Sequence, residues 1–362
     1  MQQPTDIHPL TALRFFAALW VVAFHYWPNL GAAPLPALAA RGYLGVELFF
    51  TLSGFILCHV NLDSVAAGRF AHGRFLWARL ARIYPLHLAT LAAVGIMAVA
   101  AESLGKPVDA HVLSWAALPA NLTLTQAWGL APVAGWNHPA WSISAEWFAY
   151  LCFPVFAWAS LKLRVRPWLG LGLALGLAWA LYGGFERLAG FSLTEATIRW
   201  GALRIVPGFA LGCAVNQLWR AGAVQGRLAV LGAAFSGAAV VGCLLAGAPD
   251  AVIVSLFAPL ILCIARLNGD GKPSRMGNIF VYLGEISYSI YMVCIPWKLL
   301  FVNAAFAAGG FDKAHLPLGI WLLLIAGVIP LAALTYHLIE KPARSAMRGW
   351  RAPSLTTRPS VA

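Results

Sequence analysis

Apolar residues run in ten long stretches along the chain, at about 10–30, 43–61, 84–102, 139–160, 168–185, 200–219, 228–246, 250–267, 280–302 and 316–339. A helix that crosses a hydrocarbon core of about 30 Å needs roughly 20 such residues. The stretches are continuous and rich in Leu, Ala and Gly. They do not alternate apolar with polar, so they predict helices and argue against an outer-membrane barrel. The expected fold is all-α, a polytopic membrane protein with about ten transmembrane helices.

Composition sharpens this picture. Of 362 residues 60% are hydrophobic and 10% charged, where a soluble domain carries roughly a quarter charged, and the mean hydropathy is +0.75. A soluble enzyme, a disordered chain and a disulfide-stapled secreted domain are excluded. Ten spans leave no room for a soluble domain of ordinary size. The six cysteines all fall within predicted spans and form no CxxC pair, so they read as small buried residues and no metal is expected. The first span has neither a basic leader nor a small-residue cleavage site, which predicts a retained helix. Asn121-Leu122-Thr123 matches a glycosylation sequon, a pattern that chance readily supplies.

A net charge of +12 would suggest nucleic acid in a soluble protein, but here the positions of the charges decide. With the N-terminus inside, alternate loops carry seventeen of the 25 basic residues, including Arg69, Arg74, Arg79 and Arg82, and the opposite loops carry five. This asymmetry predicts both termini on the cytoplasmic side, with anionic lipid rather than nucleic acid as partner. The expected organisation is a transmembrane domain over 1–345 and a cytoplasmic basic tail over 346–362. Two segments break the pattern of short loops. Residues 103–138, on the outer side, are too rich in tryptophan to be disordered, and loops of that length are usually functional. Gly68 to Arg82, on the inner side, interleaves four arginines with Phe70, Phe75 and Trp77. It reads either as an interfacial segment on lipid or as a dock for a phosphate-bearing cosubstrate.

Ionisable groups inside the bilayer are costly and usually functional. Arg14 and His25 lie eleven residues apart in the first span. At about 100° and 1.5 Å per residue they share one helix face, roughly 16 Å apart. Alone, such an arginine could snorkel and such a histidine could be a hydrogen-bonded core residue. Counting in from span ends puts His25, Glu47, Glu146, Arg204 and Lys298 at one depth, very roughly 6–10 Å below the outer boundary. That layer is either a structural ion-pair network or a general base with its orienting acid.

These residues lie within motifs that resemble a known family. Leu13-Arg14-Phe15 through His25 is similar to the opening signature of the acyltransferase-3 family of bacterial integral membrane acyltransferases, an arginine and a histidine separated by ten residues. Phe49-Phe50-Thr51-Leu52-Ser53-Gly54-Phe55, Arg79-Leu80-Ala81-Arg82-Ile83-Tyr84-Pro85, Asn121-Leu122-Thr123, Trp141-Ser142-Ile143-Ser144-Ala145-Glu146, Ile286-Ser287-Tyr288-Ser289-Ile290-Tyr291 and Glu340-Lys341-Pro342 follow in the family's order. Each alone is weak; together, spread over residues 13–342, they are specific. One position departs: Cys294 stands where relatives often carry a histidine. Either the role is absent or Lys298, one turn on, meets it.

The resemblance implies O-acyl transfer at the bacterial cytoplasmic membrane. The donor would be cytoplasmic acyl-CoA, most often acetyl-CoA, and the acceptor a hydroxyl of a glycan or similar molecule at the outer face. His25 would be the general base, oriented by Glu146 or Glu47. Ser53 would donate to the developing oxyanion or else simply pack. Arg14, Arg79 and Arg82, with Tyr84, would hold the cofactor. Trp136 and Trp141 would stack on a sugar unless they belong to the interfacial aromatic belt, with Arg204, Tyr291 and Lys298 completing the acceptor site. An acyl-His25 intermediate is the mechanistic alternative. A transporter or flippase is the functional alternative; it should show broken helices in symmetric halves, and no repeat is visible.

Overall fold

The computed structural model describes residues 6–31, 36–106, 108–109, 112–267 and 275–349. Among these there is no strand. The long helices are α1 (His8–Tyr26), α2 (Leu44–Ala66), α3 (His72–Ser103), α4 (Trp141–Leu151), α5 (Phe153–Leu163), α6 (Pro167–Ala189) and α7 (Gly201–Arg220). They continue as α8 (Arg227–Leu245), α9 (Asp250–Ala265), α10 (Arg275–Glu285), α11 (Ser287–Gly309), α12 (Leu318–Thr335) and α13 (Lys341–Gly349). The basic tail expected from 346 onward lies outside the described residues beyond Gly349.

Every predicted stretch is helical, but among the described residues seven helices are long and apolar enough to cross a membrane. The stretch at 139–160 is not one helix. It opens as a single turn over His138–Ala140, runs as α4, breaks at Cys152 and resumes as α5. Pro154 explains the break, since it lacks an N–H and its ring crowds the carbonyl of Tyr150 four residues back. The His72 ring nitrogen donates to that freed carbonyl at 3.3 Å. The 280–302 stretch likewise divides at Ile286. The arginine-rich segment expected as a loop from Gly68 to Arg82 is largely the first part of α3. That helix is 32 residues long, about 48 Å at 1.5 Å per residue, longer than the hydrocarbon core. Arg79 and Arg82 therefore sit on one helix face three residues apart and turn inward.

α2 is the central helix and packs most extensively on α7. Gly208 and Gly212 on α7 form a small-xxx-small pair that faces Gly54 on α2. A Cβ at Gly212 would strike the Thr51 carbonyl, and one at Gly54 would strike the Phe209 carbonyl. Such close backbone approach is how membrane helices gain packing without a hydrophobic drive between them. Gly212→Val is expected to cost about 1–3 kcal/mol through overpacking, read as a lower thermal midpoint of the detergent-solubilised protein. A midpoint at or above wild type would contradict the close contact.

Residues 112–140 fold over one end of this core as short helical turns. Asn121, Gln126, Trp136 and Asn137 are buried there. The opposite end carries Arg69, Arg74 and the start of α3, and is the basic end of the bundle.

Candidate active site

A cavity of about 590 Å³ enters from the basic end and is walled by α1, α2, α3, α4 and α11. Each helix contributes polar atoms from an apolar surround. α1 gives Arg14, α2 gives Ser53 and Asn61, α3 gives Arg74, Arg79 and Arg82, and α4 gives Ser142, Glu146 and Tyr150. The aromatic wall includes Phe49, Phe75, Tyr288 and Tyr291.

The arginines define its chemistry. Among the described residues, none of Arg14, Arg79 and Arg82 is hydrogen-bonded or ion-paired with a carboxylate, and Arg79 Nε and Arg82 Nη2 are buried without an acceptor. Buried polar groups are ordinarily satisfied, so these donors mark a place where an acceptor belongs. Glu146 and, near the mouth, Asp6 are the carboxylates on the lining, and Glu146 Oε2 accepts from the Tyr150 hydroxyl at 2.7 Å. Arg69 and Arg74 at the mouth make the site strongly cationic. Guanidinium groups of this kind match phosphate oxygens. No ligating cluster of His, Cys, Asp or Glu occurs among the described residues.

The cavity closes against Ser142 and Tyr291. Both side-chain hydroxyls donate to the Pro139 carbonyl, at 3.2 and 2.9 Å. Phe49 packs edge-on to the Tyr291 ring, with centroids 6.3 Å apart. His25 does not line the cavity. It lies one end of α1 further on, with His138 and Lys298 as the ionisable groups in electrostatic range.

The layer of five polar groups expected at one depth divides into separate contacts. Glu47 and Arg204 form a fully buried ion pair of 2.6 Å. The Tyr182 hydroxyl donates to the second Glu47 oxygen at 3.3 Å, and Arg204 also donates to the carbonyls of Ala196 and Tyr43. With its oxygens so engaged, Glu47 does not orient His25, and Arg204 stands behind Trp141 rather than in an acceptor site. Glu146 also does not reach His25, because it faces the cavity and Tyr150. Lys298 Nζ donates to the His25 carbonyl at 2.8 Å, satisfying one of the orphan acceptors at the α1 C-terminus.

Other sequence candidates are also redirected. Tyr84 does not line the cavity; its hydroxyl donates to the Leu122 carbonyl. Trp141 is buried under the Arg204 guanidinium, 4.5 Å from its ring centroid. Trp136 is buried as well, with its indole N–H donating to Ser114. Neither ring offers an exposed platform for a sugar. Asn121 of the sequon is buried, its side chain donating to the Ala117 carbonyl.

The structure also gives surroundings to residues to which the sequence assigned no role. Tyr150 could have been suspected, lying one turn after Glu146. Glu340 is buried in a π-helical turn over Tyr336–Glu340 and accepts from Ser289 at 2.9 Å; π-turns often mark functional places.

Comparison with known proteins gives the chain's relatives. A family model described as "Acyltransferase domain" matches residues 7–337. The chain is 32% identical over 310 residues to "Acyltransferase MdmB" of Streptomyces mycarofaciens, covering 78% of this chain and 77% of that one. It is 26% identical to ORF330 of Acidianus two-tailed virus, named a candidate acetyltransferase, over 80% of this chain and 82% of that one. It is 24% identical to "Nodulation protein 10" of Rhizobium leguminosarum bv. viciae, over 91% of each. No solved structure matches the chain.

Proposed function

The chain belongs to the acyltransferase-3 family, and we propose that it transfers an acyl group, acetyl most often, from cytoplasmic acyl-CoA to a hydroxyl of a glycan or similar acceptor across the bacterial inner membrane. That it is a multi-pass membrane acyltransferase follows from the family and the apolar helices. The donor, the acceptor and the direction are our reading.

One observation carries it: an arginine-lined cavity, open at the basic end and furnished with buried, unpartnered guanidinium donors. Those donors suit the phosphates of a nucleotide-linked donor. The excess of basic residues in the loops at that end supports its facing the cytoplasm, where acyl-CoA is made. An extended pantetheine arm would lie along α1 and α2 and carry the thioester toward Ser142 and Tyr291.

In the transfer, His25 accepts the acceptor's hydroxyl proton while that oxygen forms a bond to the thioester carbon. The C–S bond breaks, and the imidazolium returns its proton to the departing thiolate. Ser53 lines the cavity and is the hydroxyl on α2 available to the thioester oxygen. Glu146, beside the arginines, offsets part of their mutual repulsion.

Arg82→Ala tests the donor site without touching His25. A charge-assisted hydrogen bond contributes about 1.5–3 kcal/mol. The acetyl-CoA concentration for half-maximal CoA release should therefore rise about tenfold or more, with the saturated rate little changed. An unchanged concentration dependence would remove Arg82 from the donor site. Absence of any acetyl-CoA-dependent CoA release by the wild-type protein would overturn the proposed function itself.

A further inference from the structure

His138 sits in a segment that the rest of the protein holds with unusual care. Trp136, two residues before it, has φ +58, a left-handed backbone that a bulky residue rarely adopts and that is usually held in place by a functional site. Its N–H and its indole are tied to Val112 and Ser114. Asn137 is buried and donates to the Met292 carbonyl at 2.9 Å. Its Oδ1 is left without a donor. On the other side, Ser142 and Tyr291 bond the Pro139 carbonyl. Five hydrogen bonds thus hold the residues on either side of one residue, and that residue is a histidine.

The His138 ring makes no hydrogen bond among the described residues. A packing histidine in this protein looks different. His87, also buried, has its Nε2 bonded to the Asn121 carbonyl at 2.8 Å. His138 instead stands in electrostatic range of His25 and next in the chain to Pro139, which the cavity-lining Ser142 and Tyr291 bond. Two imidazoles without hydrogen-bonded ring nitrogens, an unpaired amide oxygen on the residue before His138 and no carboxylate bonded to either ring is a set of groups that lacks a hydroxyl.

We infer that His138 is a second catalytic residue, which binds the acceptor's hydroxyl oxygen opposite His25, with Asn137 Oδ1 accepting from a neighbouring hydroxyl of the same polyol. The inference rests on the acyl-transfer reading above. His138 donates a ring N–H to the attacking oxygen and so fixes its line of approach to the thioester carbon. His25 takes that oxygen's proton. The C–O bond forms, the C–S bond breaks, and the proton passes from His25 to the thiolate, so His138 ends the cycle in the protonation state in which it began. A vicinal diol, as on a sugar ring, satisfies both His138 and Asn137.

The test uses full-length protein in nanodiscs, with acetyl-CoA as donor and 4-nitrophenyl β-D-glucoside as acceptor probe. CoA release reports all turnover, whether to glucoside or to water, and mass spectrometry reports acetylated glucoside. CoA binding is measured separately. His138→Ala and His138→Gln should lower total turnover on the order of a hundredfold, the lower range for a positioned acid-base group. CoA binding should stay within twofold of wild type, and free imidazole should restore part of the His138→Ala rate. Turnover unchanged in both variants would overturn the inference. So would loss of CoA binding in both, because His138 would then be a structural residue. A wild-type protein that releases no CoA would instead defeat the acyl-transfer reading on which the inference rests.

Discussion

His25→Ala protein, inserted into membranes at the wild-type level, is expected to release CoA from acetyl-CoA about 10²–10⁴-fold more slowly than wild type, the range a positioned general base contributes. The expectation follows from what surrounds His25. Neither Glu47 nor Glu146 engages it, and the contact that the α1 terminus makes with Lys298 goes through the His25 backbone carbonyl, not the ring. Removing the ring therefore breaks no hydrogen bond of the fold, and half-buried position leaves a small void at the helix end rather than in the core. Stability and CoA binding should both survive, because Arg14, Arg79 and Arg82 remain in the cavity. The pattern to measure is a collapsed saturated rate with an unaltered half-saturation for acetyl-CoA. A rate equal to wild type would exclude His25 from the proton transfer. A labelled acyl group trapped on wild-type protein without acceptor, and absent from His25→Ala, would replace the one-step mechanism with an acyl-His25 intermediate.

The arginines of the cavity were legible in the sequence for a physical reason. A charge in an apolar span costs so much that its presence at Arg14 is informative wherever it points, the arginine-aromatic run from Gly68 to Arg82 drew attention to Arg79 and Arg82, and the three do converge on one space. Depth could be counted along each span, which is why Glu47, Arg204, Glu146, Lys298 and His25 looked like one layer. Azimuth could not. Whether Glu47 met Arg204 or His25 depended on which helix faces touch, and the glycines that press α2 onto α7 decided it. Pro154 carried a readable sign of the α4–α5 break. Motif membership names a position and not a direction: Tyr84 turns toward Leu122, and Trp141 lies under Arg204. His138 is a residue whose surroundings a one-dimensional reading does not give. Its place is set by bonds from Met292 and Tyr291, more than 150 positions away in the chain.

Arg204→Met should be among the most destabilising substitutions available in this protein. The guanidinium is 2% exposed, donates to Glu47 and to two backbone carbonyls, and stacks on Trp141. Removing it leaves the Glu47 carboxylate, 0% exposed, with the Tyr182 hydroxyl as its remaining partner. Breaking one side of a buried pair costs about 3–5 kcal/mol, most of it the penalty for the stranded charge. The double variant Glu47→Leu/Arg204→Met strands no charge, since apolar residues of similar size often replace a buried pair with little loss. It should recover most of the thermal midpoint that Arg204→Met loses, while Ala196 and Tyr43 keep unpaired carbonyls that hold the recovery short of complete. The measurement is thermal unfolding of the detergent-solubilised protein for wild type, both single variants and the double. A double variant as unstable as Arg204→Met would mean that the backbone contacts, not the charge pair, hold α2, α7 and the Trp141 helix together. A double variant that recovers stability and retains turnover would separate this pair from the chemistry, leaving the cavity arginines and the two imidazoles as the working charges of the site.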